Sequence, residues 1–205
     1  MLLSPGELAA RRRRHLDRDA QYLGLGFDRQ AAVRAVVDAG GGLSGAVLDV
    51  GTGRGMLALE LARRGLDVVT ADPDEESQEE AAYNALCEGM DRRVWFIRTD
   101  AAALPFDDGH FAGVFCMDAI HHLVEAGPVL SEMARLLVSG GSLVLSDFTP
   151  AGLDLVKKVH EAEGRTHPVG PVTLQHAAEH LLAKRFTILS DNEHHFHRTL
   201  VLSRA

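Results

Sequence analysis

The residues best suited to chemistry in this chain lie in a glycine-rich turn preceded by an acid. Gly51, Gly53 and Gly55 stand at alternate positions, and Asp49 stands two residues before the first of them. Glycine lets the backbone turn sharply and approach a ligand with no Cβ in between. An apolar run precedes the turn and a helical pattern follows it, so the N–H groups and positive dipole of a helix start would face the ligand. The pattern predicts a binding site for a polar small molecule.

The spacing of the glycines distinguishes this turn from two related ones. Dinucleotide-binding turns follow G-x-G-x-x-G, and a P-loop requires Gly-Lys-Ser/Thr, whereas this chain has G-x-G-x-G. A second acid, Asp72, ends the next apolar run about 20 residues beyond Gly51, where a carboxylate can accept both hydroxyls of a ribose. The alternative is that Asp72 or Asp74 caps the helix that follows.

Further motifs follow in order along the chain. A strand predicted at residues 94–98 leads to Asp100 and Ala101, and the stretch Leu-Pro-Phe-Asp-Asp-Gly-His-Phe occupies residues 104–111. A strand ending at Met117 then leads to Asp118 and the paired His121 and His122. A helix, a Gly-Gly turn at residues 140–141 and a fifth strand complete the series.

Together these motifs resemble the class I, Rossmann-like S-adenosylmethionine (AdoMet) methyltransferases over about residues 40–148. The middle motifs are similar to the small-molecule "type 11" group, which includes the quinone-biosynthesis C-methyltransferases. The resemblance implies AdoMet as methyl donor and S-adenosylhomocysteine (AdoHcy) as product. It implies that the first acid helps hold the methionine end of the ligand, the second the ribose and the third the adenine amine. The residues it assigns to the cofactor are Asp49, Gly51, Thr52, Gly53, Gly55, Asp72, Pro73, Asp100, Ala101 and Met117.

The acceptor side is predicted from position in the chain. Methyl transfer from a sulfonium needs a base only when the nucleophile must lose a proton. The candidates are the three side chains after the fourth strand: Asp118, His121 and His122. A histidine there could instead cap or pack the following helix. Residues 148–171 are predicted to close over the acceptor, and the side chains expected to face it are His160, Arg165 and His167.

The late part of the chain is rich in histidine, which raises the question of a metal. No spacing among these histidines matches a standard zinc pattern, so no metal site is predicted.

Composition narrows the classes of partner. The chain has 205 residues, 46% hydrophobic and 24% charged, with a net charge of −8 that disfavours nucleic-acid binding. The run at residues 11–14, four arginines, is predicted to be the solvated side of a helix, although it could touch an anionic partner. Cys87 and Cys116 are predicted to be buried free thiols. With no signal-peptide or membrane-spanning pattern, a cytoplasmic location is expected.

The elements that position these residues indicate an α/β fold. Helices are predicted at residues 5–22 and 29–39, followed by strands and helices in alternation to residue 148, which favours a parallel sheet. A helix at 151–164, another capped by Thr173, and a hairpin of strands 186–190 and 196–203 turning at Asp191-Asn192-Glu193 complete the chain. The resemblance implies that the last strand lies beside the fifth.

The predicted fold is therefore one Rossmann-like domain spanning 1–205. Its seven-stranded sheet is mostly parallel with an antiparallel last strand in a C-terminal hairpin, and helices cover both faces. Residues 1–42 would form N-terminal helices, 43–148 the AdoMet-binding core, and 149–205 the acceptor-side connection and hairpin.

Three functions remain open at this stage. The first is an AdoMet-dependent methyltransferase acting on a small molecule, since the chain lacks the Asn-Pro-Pro-Tyr/Phe motif and the paired-glutamate loop of other methyltransferase groups. The second is a protein or RNA methyltransferase that docks through the arginine run. The third is a non-enzymatic AdoMet or AdoHcy binder acting as a regulator. A dehydrogenase is disfavoured by the glycine spacing.

Overall fold

The computed structural model describes residues 3–204, which contain a seven-stranded sheet with the order β3-β2-β1-β4-β5-β7-β6. The strands are β1 Ala46–Val50, β2 Asp67–Asp72, β3 Val94–Arg98, β4 Phe111–Met117, β5 Leu137–Phe148, β6 Thr187–His194 and β7 His197–Ser203. The helices are α1 Pro5–Gly24, α2 Arg29–Ala39, α3 Met56–Arg63, α4 Glu75–Cys87, α5 Gly127–Leu136, α6 Pro150–Ala162 and α7 Leu174–Ala183. A short 3-10 turn occupies Ile120–His122.

The pairing of the strands confirms the predicted fold class. Strands β3, β2, β1, β4 and β5 are parallel neighbours, while β7 is antiparallel to both β5 and β6. The carboxyl ends of β1, β2, β3 and β4 therefore meet along one edge of the sheet, where ligands bind in folds of this kind. Asp49 and Asp72 lie within the last two residues of β1 and β2, and the three glycines and Asp100 follow the ends of β1 and β3.

Helices cover both faces of the sheet, because side chains of the central strands are apolar on both faces. Leu48, Val114 and Leu143 are buried on one face with α5 and α7. Their neighbours in sequence, Val47 and Phe115, are buried on the other face with α2 and α3. Because successive side chains of a strand point to opposite faces, continuous apolar runs are what a strand covered on both sides requires.

The C-terminal hairpin turns later than predicted. Residues 191–193, expected to form the turn, pair with β7 as part of β6, so that prediction is wrong. The turn is His195-Phe196, whose φ angles of 50° and 65° are both left-handed, as in a tight two-residue hairpin turn. The guanidinium of Arg198 donates to both oxygens of Asp191 across the strands, at 2.9 and 2.7 Å, which stabilises the longer pairing.

The N-terminal helix docks on α4 through half of the arginine run. Ser4 and Glu7 form the capping box that begins α1. The guanidinium of Arg11 pairs with Glu76 at 2.7 Å, and that of Arg12 donates to the Asn84 side chain at 2.8 Å. The prediction of a solvated arginine face is therefore correct only for the other two arginines, which are exposed. The acidic sequence of α4 is the physical reason for the docking.

Two further details differ from expectation. Cys116 is a buried free thiol as predicted, whereas Cys87, the last residue of α4, is exposed. Strand β5 begins before the paired glycines, and its register with β4 shifts between Phe111 and Gly113. Over residues 3–204, no helix combines the length and apolar character needed to cross a membrane.

Candidate functional site

The glycine turn connects β1 to α3 and leaves open space above it. Gly53 has a φ of +48°, and a Cβ built there would meet no protein atom within 4 Å. Gly55 has a φ of +80° and precedes α3, and a Cβ there would lie 3.0 Å from the Cβ of Ala81 in α4. Both positions use the left-handed region that glycine tolerates. Gly55 thus allows α3 to pack closely on α4, while Gly53 presents bare backbone to open space.

A chain of hydrogen bonds supports the turn from below. The amide nitrogen of Gln78 donates to the hydroxyl of Thr52 at 2.8 Å, the hydroxyls of Thr52 and Thr70 lie 2.7 Å apart, and Thr70 donates to Asp49 at 2.8 Å. When Asp49 is ionised it can only accept, so Thr70 uses its proton on Asp49 and Thr52 donates to Thr70. The buried network fixes the position of the turn relative to β2 and α4.

Asp49 is an incompletely satisfied buried acid. Its side chain is 1% exposed, and its Oδ1 atom has no hydrogen-bond partner among the described residues. Burial raises the pKa of Asp49 to about 7, against the opposing hydrogen bond from Thr70 and with a smaller contribution from the charge of Asp72. An unpartnered oxygen at this position can accept a hydrogen bond from a ligand ammonium or from a bridging water.

The acids at and after the ends of β2 and β3 accept hydrogen bonds from different backbone groups. Asp74 caps α4 by accepting the backbone N–H of Ser77 at 2.8 Å, so the cap belongs to Asp74. Asp72 accepts the N–H of Gly53 at 3.2 Å and that of Asp74 at 2.9 Å. Asp100, after β3, is exposed and accepts the N–H of Ala102 at 2.9 Å.

A cavity of about 190 Å³ lies between the glycine turn and the N-terminal helices. Its lining includes four residues predicted for the cofactor, together with residues of α2 and β7 that the sequence analysis did not select. The predicted cofactor residues that line it are Gly51, Thr52, Gly53 and Met117. The additional residues include Phe27, Arg29, Arg54, Met56, Leu57 and His197. The other six predicted cofactor residues do not line this cavity: Asp49, Gly55, Asp72, Pro73, Asp100 and Ala101.

A second cavity, of about 160 Å³, adjoins the first. Both are lined by Asp118, Arg29 and Arg54. The second is also lined by the side chains of Tyr22 and Phe148 and by a group of four histidines. These are His121, His122, His160 and His167, which we call the histidine cluster. Two pockets that share a wall suit a reaction between two bound molecules.

Asp118 lies at the junction of the two cavities. It has a φ of 58°, which is uncommon for a residue other than glycine. Its Oδ1 atom lies 2.7 Å from the Nε2 atom of buried His197. Burial acts to lower the pKa of His197, but Asp118 and the backbone carbonyl of His195 outweigh it, so this pKa lies above its ordinary value. No sequence pattern links Asp118 to His197, which is 79 residues away.

Two members of the histidine cluster are held by neighbouring oxygens. The Nδ1 atom of His121 lies 2.6 Å from Oδ1 of buried Asp147, and the backbone N–H of His121 donates to the other carboxylate oxygen at 2.9 Å. The Nδ1 atom of His122 lies 3.1 Å from the carbonyl oxygen of Pro168. The Nε2 atoms of His121 and His167 are 3.2 Å apart.

The lowered pKa values of His167 and His122 favour neutral rings. Desolvation, followed by the proximity of His121, His122 and His160, lowers the pKa of His167 to about 4. Desolvation and His121 also lower the pKa of His122. A neutral ring keeps a lone pair on one nitrogen, which can accept a hydrogen bond or bind a metal ion.

The segment after β5 places two of its three predicted acceptor residues, His160 and His167, in the lining of the second cavity. The ring of His160, in α6, lies 5.0 Å from that of His167, and its Nδ1 atom is buried without a partner among the described residues. Arg165 instead pairs with Glu163, is exposed, and does not line either cavity. The irregular stretch between α6 and α7 contains Gly164, Pro168, Gly170 and Pro171. Sequence position alone could not separate His167 from Arg165.

The chain is similar in sequence to known methyltransferases. A family model described as a methyltransferase domain matches residues 47–141, from the first strand to the start of the fifth. A demethylmenaquinone methyltransferase of Clavibacter sepedonicus is 34% identical over 148 residues, covering 71% of this chain and 58% of that protein. A 27-O-demethylrifamycin SV methyltransferase of Amycolatopsis mediterranei is 36% identical over 113 residues, covering 53% of this chain and 42% of that protein. The chain thus spans about half the length of these curated relatives.

The fold also matches solved structures. The crystal structure of the PH0226 protein of Pyrococcus horikoshii superposes with a TM-score of 0.75 at 20% sequence identity, covering 86% of this chain and 90% of that one. At this identity the match concerns the fold.

Proposed function

We propose that this chain transfers a methyl group from AdoMet to a small-molecule acceptor, in keeping with the methyltransferase-domain family model that matches residues 47–141. The observation that carries the proposal is the pair of adjoining cavities that share Asp118. One begins at the glycine turn, and the other ends at the histidine cluster.

The donor side fits AdoMet in three respects. The open space above Gly53 admits a ligand against bare backbone. The unpartnered Oδ1 of Asp49 can accept from the ligand's ammonium or from a water that it binds. Asp72 and Asp100, outside the cavity at the ends of β2 and β3, can accept from the ribose and the adenine amine. Bound there, AdoMet supplies a methyl group already activated on a sulfonium.

The chain's own contribution to the transfer is alignment and exclusion of water. Asp118 stands between the two cavities and is held by His197, so it can orient an acceptor group that enters from the histidine side. If the nucleophile carries a proton, Asp118, His122 and His121 remain the proposed acceptors of that proton. His160 and His167 are proposed to contact the acceptor molecule, and Arg165 remains a weaker proposal because it lies outside the cavity.

An acceptor with both polar and apolar parts suits this arrangement. A third cavity, of about 290 Å³, is also lined by His121 and Phe148, and most of its lining is apolar, including Leu153, Val172 and Leu174. A polar group at the histidine cluster and an apolar remainder in this third cavity would fill both spaces.

The two alternative functions receive less support. A protein or RNA methyltransferase calls for a basic surface around the cleft. Here the cavity arginines Arg18 and Arg29 pair with acids, at 2.7 Å from Glu163 and 2.8 Å from Asp19 respectively. A non-enzymatic AdoMet binder calls for a closed pocket with no room beside the methyl group, whereas the second cavity provides about 160 Å³. We further propose a cytoplasmic location, supported by an exposed cysteine that is not in a disulfide.

Calorimetry followed by a product screen tests the proposed function. AdoHcy should bind with one site per chain, and NAD should give no heat. The protein incubated with AdoMet and a small-molecule cell extract should then yield a product heavier by one methylene, detected by mass spectrometry. Binding of NAD without AdoHcy would refute the proposal. AdoHcy binding with no methylated product from protein, RNA or small-molecule fractions would favour the regulator.

A further inference from the structure

We infer that His121, His122 and His167 form a binding site for a divalent transition-metal ion. One ring nitrogen from each of the three lies within 4.8 Å of the others. Neutral imidazole nitrogen is a common ligand for zinc and its neighbours in the first transition series, whereas Mg²⁺ and Ca²⁺ prefer oxygen.

The closest of these distances matches the geometry of two ligands on one ion. With metal–nitrogen bonds of about 2.0–2.1 Å, two ligand atoms are separated by about 2.9 Å at right angles and about 3.4 Å in a tetrahedron. The Nε2 atoms of His121 and His167 are 3.2 Å apart. An ion can therefore bind both with little movement of either ring.

The surroundings of the rings provide the support that metal-binding histidines usually have. His121 can donate its Nδ1 proton to buried Asp147, which leaves its Nε2 lone pair free toward His167. His122 can donate its Nδ1 proton to the carbonyl oxygen of Pro168, which likewise leaves its Nε2 free. A carboxylate or a backbone carbonyl behind a ligating histidine fixes the tautomer and orients the ring.

The site leaves room for further ligands on the cavity side. The three rings line the second cavity, where the ring of His160 lies 5.0 Å from that of His167 with a buried, unpartnered Nδ1 atom. Three protein ligands and an open position are typical of a site that binds a substrate. If the proposed methyl transfer is correct, the ion would bind a hydroxyl or phenol oxygen of the acceptor at this open position.

No spacing rule could have found this site. His121 and His122 are adjacent on the 3-10 turn after β4, and His167 comes from the irregular stretch after α6. The topology places both segments beyond the same edge of the sheet. The sequence predicted no metal because the ligands of standard zinc patterns are grouped along the chain, whereas His122 and His167 are 45 positions apart.

The test is a metal titration of protein prepared without a polyhistidine tag and treated with a chelator. Zn²⁺ is followed by calorimetry, and Co²⁺ by its visible absorption, which reports nitrogen ligation. The wild type should bind one ion per chain. His167→Ala and His122→Ala should each weaken binding at least tenfold, and Asp147→Asn should weaken it by about 10–100-fold. The exposed ring of His110, stacked on Phe106 outside the cluster, provides the control, and His110→Ala should bind as the wild type does.

The result that overturns the inference is wild-type protein that binds no stoichiometric ion, or variants His167→Ala and His122→Ala that bind as tightly as the wild type. Circular dichroism of each variant separates loss of a ligand from loss of the fold. AdoHcy calorimetry on the same samples separates the two proposals. AdoHcy binding without metal binding rejects the metal site alone, and metal binding without AdoHcy binding supports the site while counting against methyl transfer.

Discussion

The hydroxyl of Thr70 donates a 2.8 Å hydrogen bond to one carboxylate oxygen of Asp49, while the other oxygen is buried without a partner among the described residues. One hydrogen bond is too little to offset the burial of a carboxylate, so the pKa of Asp49 rises to about 7 from an ordinary 3.8. The free protein holds an acid that a cationic ligand group would satisfy.

This acid should make the stability of the ligand-free protein depend on pH. Because the folded state binds the proton more tightly than the unfolded state, stability from Asp49 is greatest below pH 3.8 and is lost as the pH rises toward 7. The loss should be on the order of a few kcal/mol. Urea unfolding at pH 5, 6, 7 and 8 should show a smaller decline for Asp49→Asn than for the wild type. The exposed acid Asp107 gives the control, since Asp107→Asn should parallel the wild type. Parallel curves for Asp49→Asn would contradict the prediction.

Replacement of Asp72 should weaken AdoHcy binding more than replacement of Asp74. Asp72→Ala should weaken AdoHcy by about 1.5–3 kcal/mol through loss of charge-assisted hydrogen bonds to the ribose. Asp74→Ala removes the cap of α4 and should lower stability by about 0.5–2 kcal/mol with little change in AdoHcy affinity. Calorimetry and urea unfolding of both variants measure the two effects. Equal AdoHcy affinities would show that Asp72 serves only the turn.

A side chain at Gly53 should abolish AdoHcy binding. Valine there would enter the space above the turn and force a β-branched residue into a φ of +48°. The matched control is Gly89→Val, because Gly89 also has a positive φ, +68°, and also faces open space. Both variants should lose about 1–3 kcal/mol of stability through backbone strain, and only Gly53→Val should lose binding. Normal AdoHcy binding by Gly53→Val would exclude this turn as the cofactor site.

The pair of Asp118 and His197 should stabilise the fold in a pH-dependent way. The pKa of His197 lies above 6.5, so the stabilisation is complete below that pH and is lost as the pH rises through the pKa of the folded state. Asp118→Asn, which tolerates the positive φ, should cost about 1.5–3 kcal/mol near pH 6 and less near pH 9. Thermal unfolding of both proteins at the two pH values measures this. A cost that does not change with pH would mean that the two side chains form no ion pair.

Hydrophobic periodicity and capping or turn residues predicted most of the fold, because each of these signals depends on residues close together in the sequence. Apolar runs predicted the strands, and the capping residue Thr173 predicted the start of α7 to the residue. The hairpin turn was misplaced because three polar residues resemble a turn in sequence. The ladder of β6 with β7, including the pair Asp191 and Arg198, extends through them instead.

The candidate site also has features that the sequence predicted and features that only the structure showed. Asp49, Gly53 and Asp72 were predicted from the sequence because a strand, a turn and a helix start carry them within a short stretch of chain. Their spacing predicts a polar ligand, and the resemblance of the ordered motifs to a known family implies AdoMet. Only the tertiary structure showed that Asp118 pairs with His197 and that the Nε2 atoms of His121 and His167 lie 3.2 Å apart. The residues of these two pairs are 79 and 46 positions apart in the sequence, and they meet because the segments after β4, α6 and β6 reach the same edge of the sheet. Distance along the chain does not give distance in space. The sequence therefore predicted residues for both halves of the site, and the fold decided which of those on the histidine side meet.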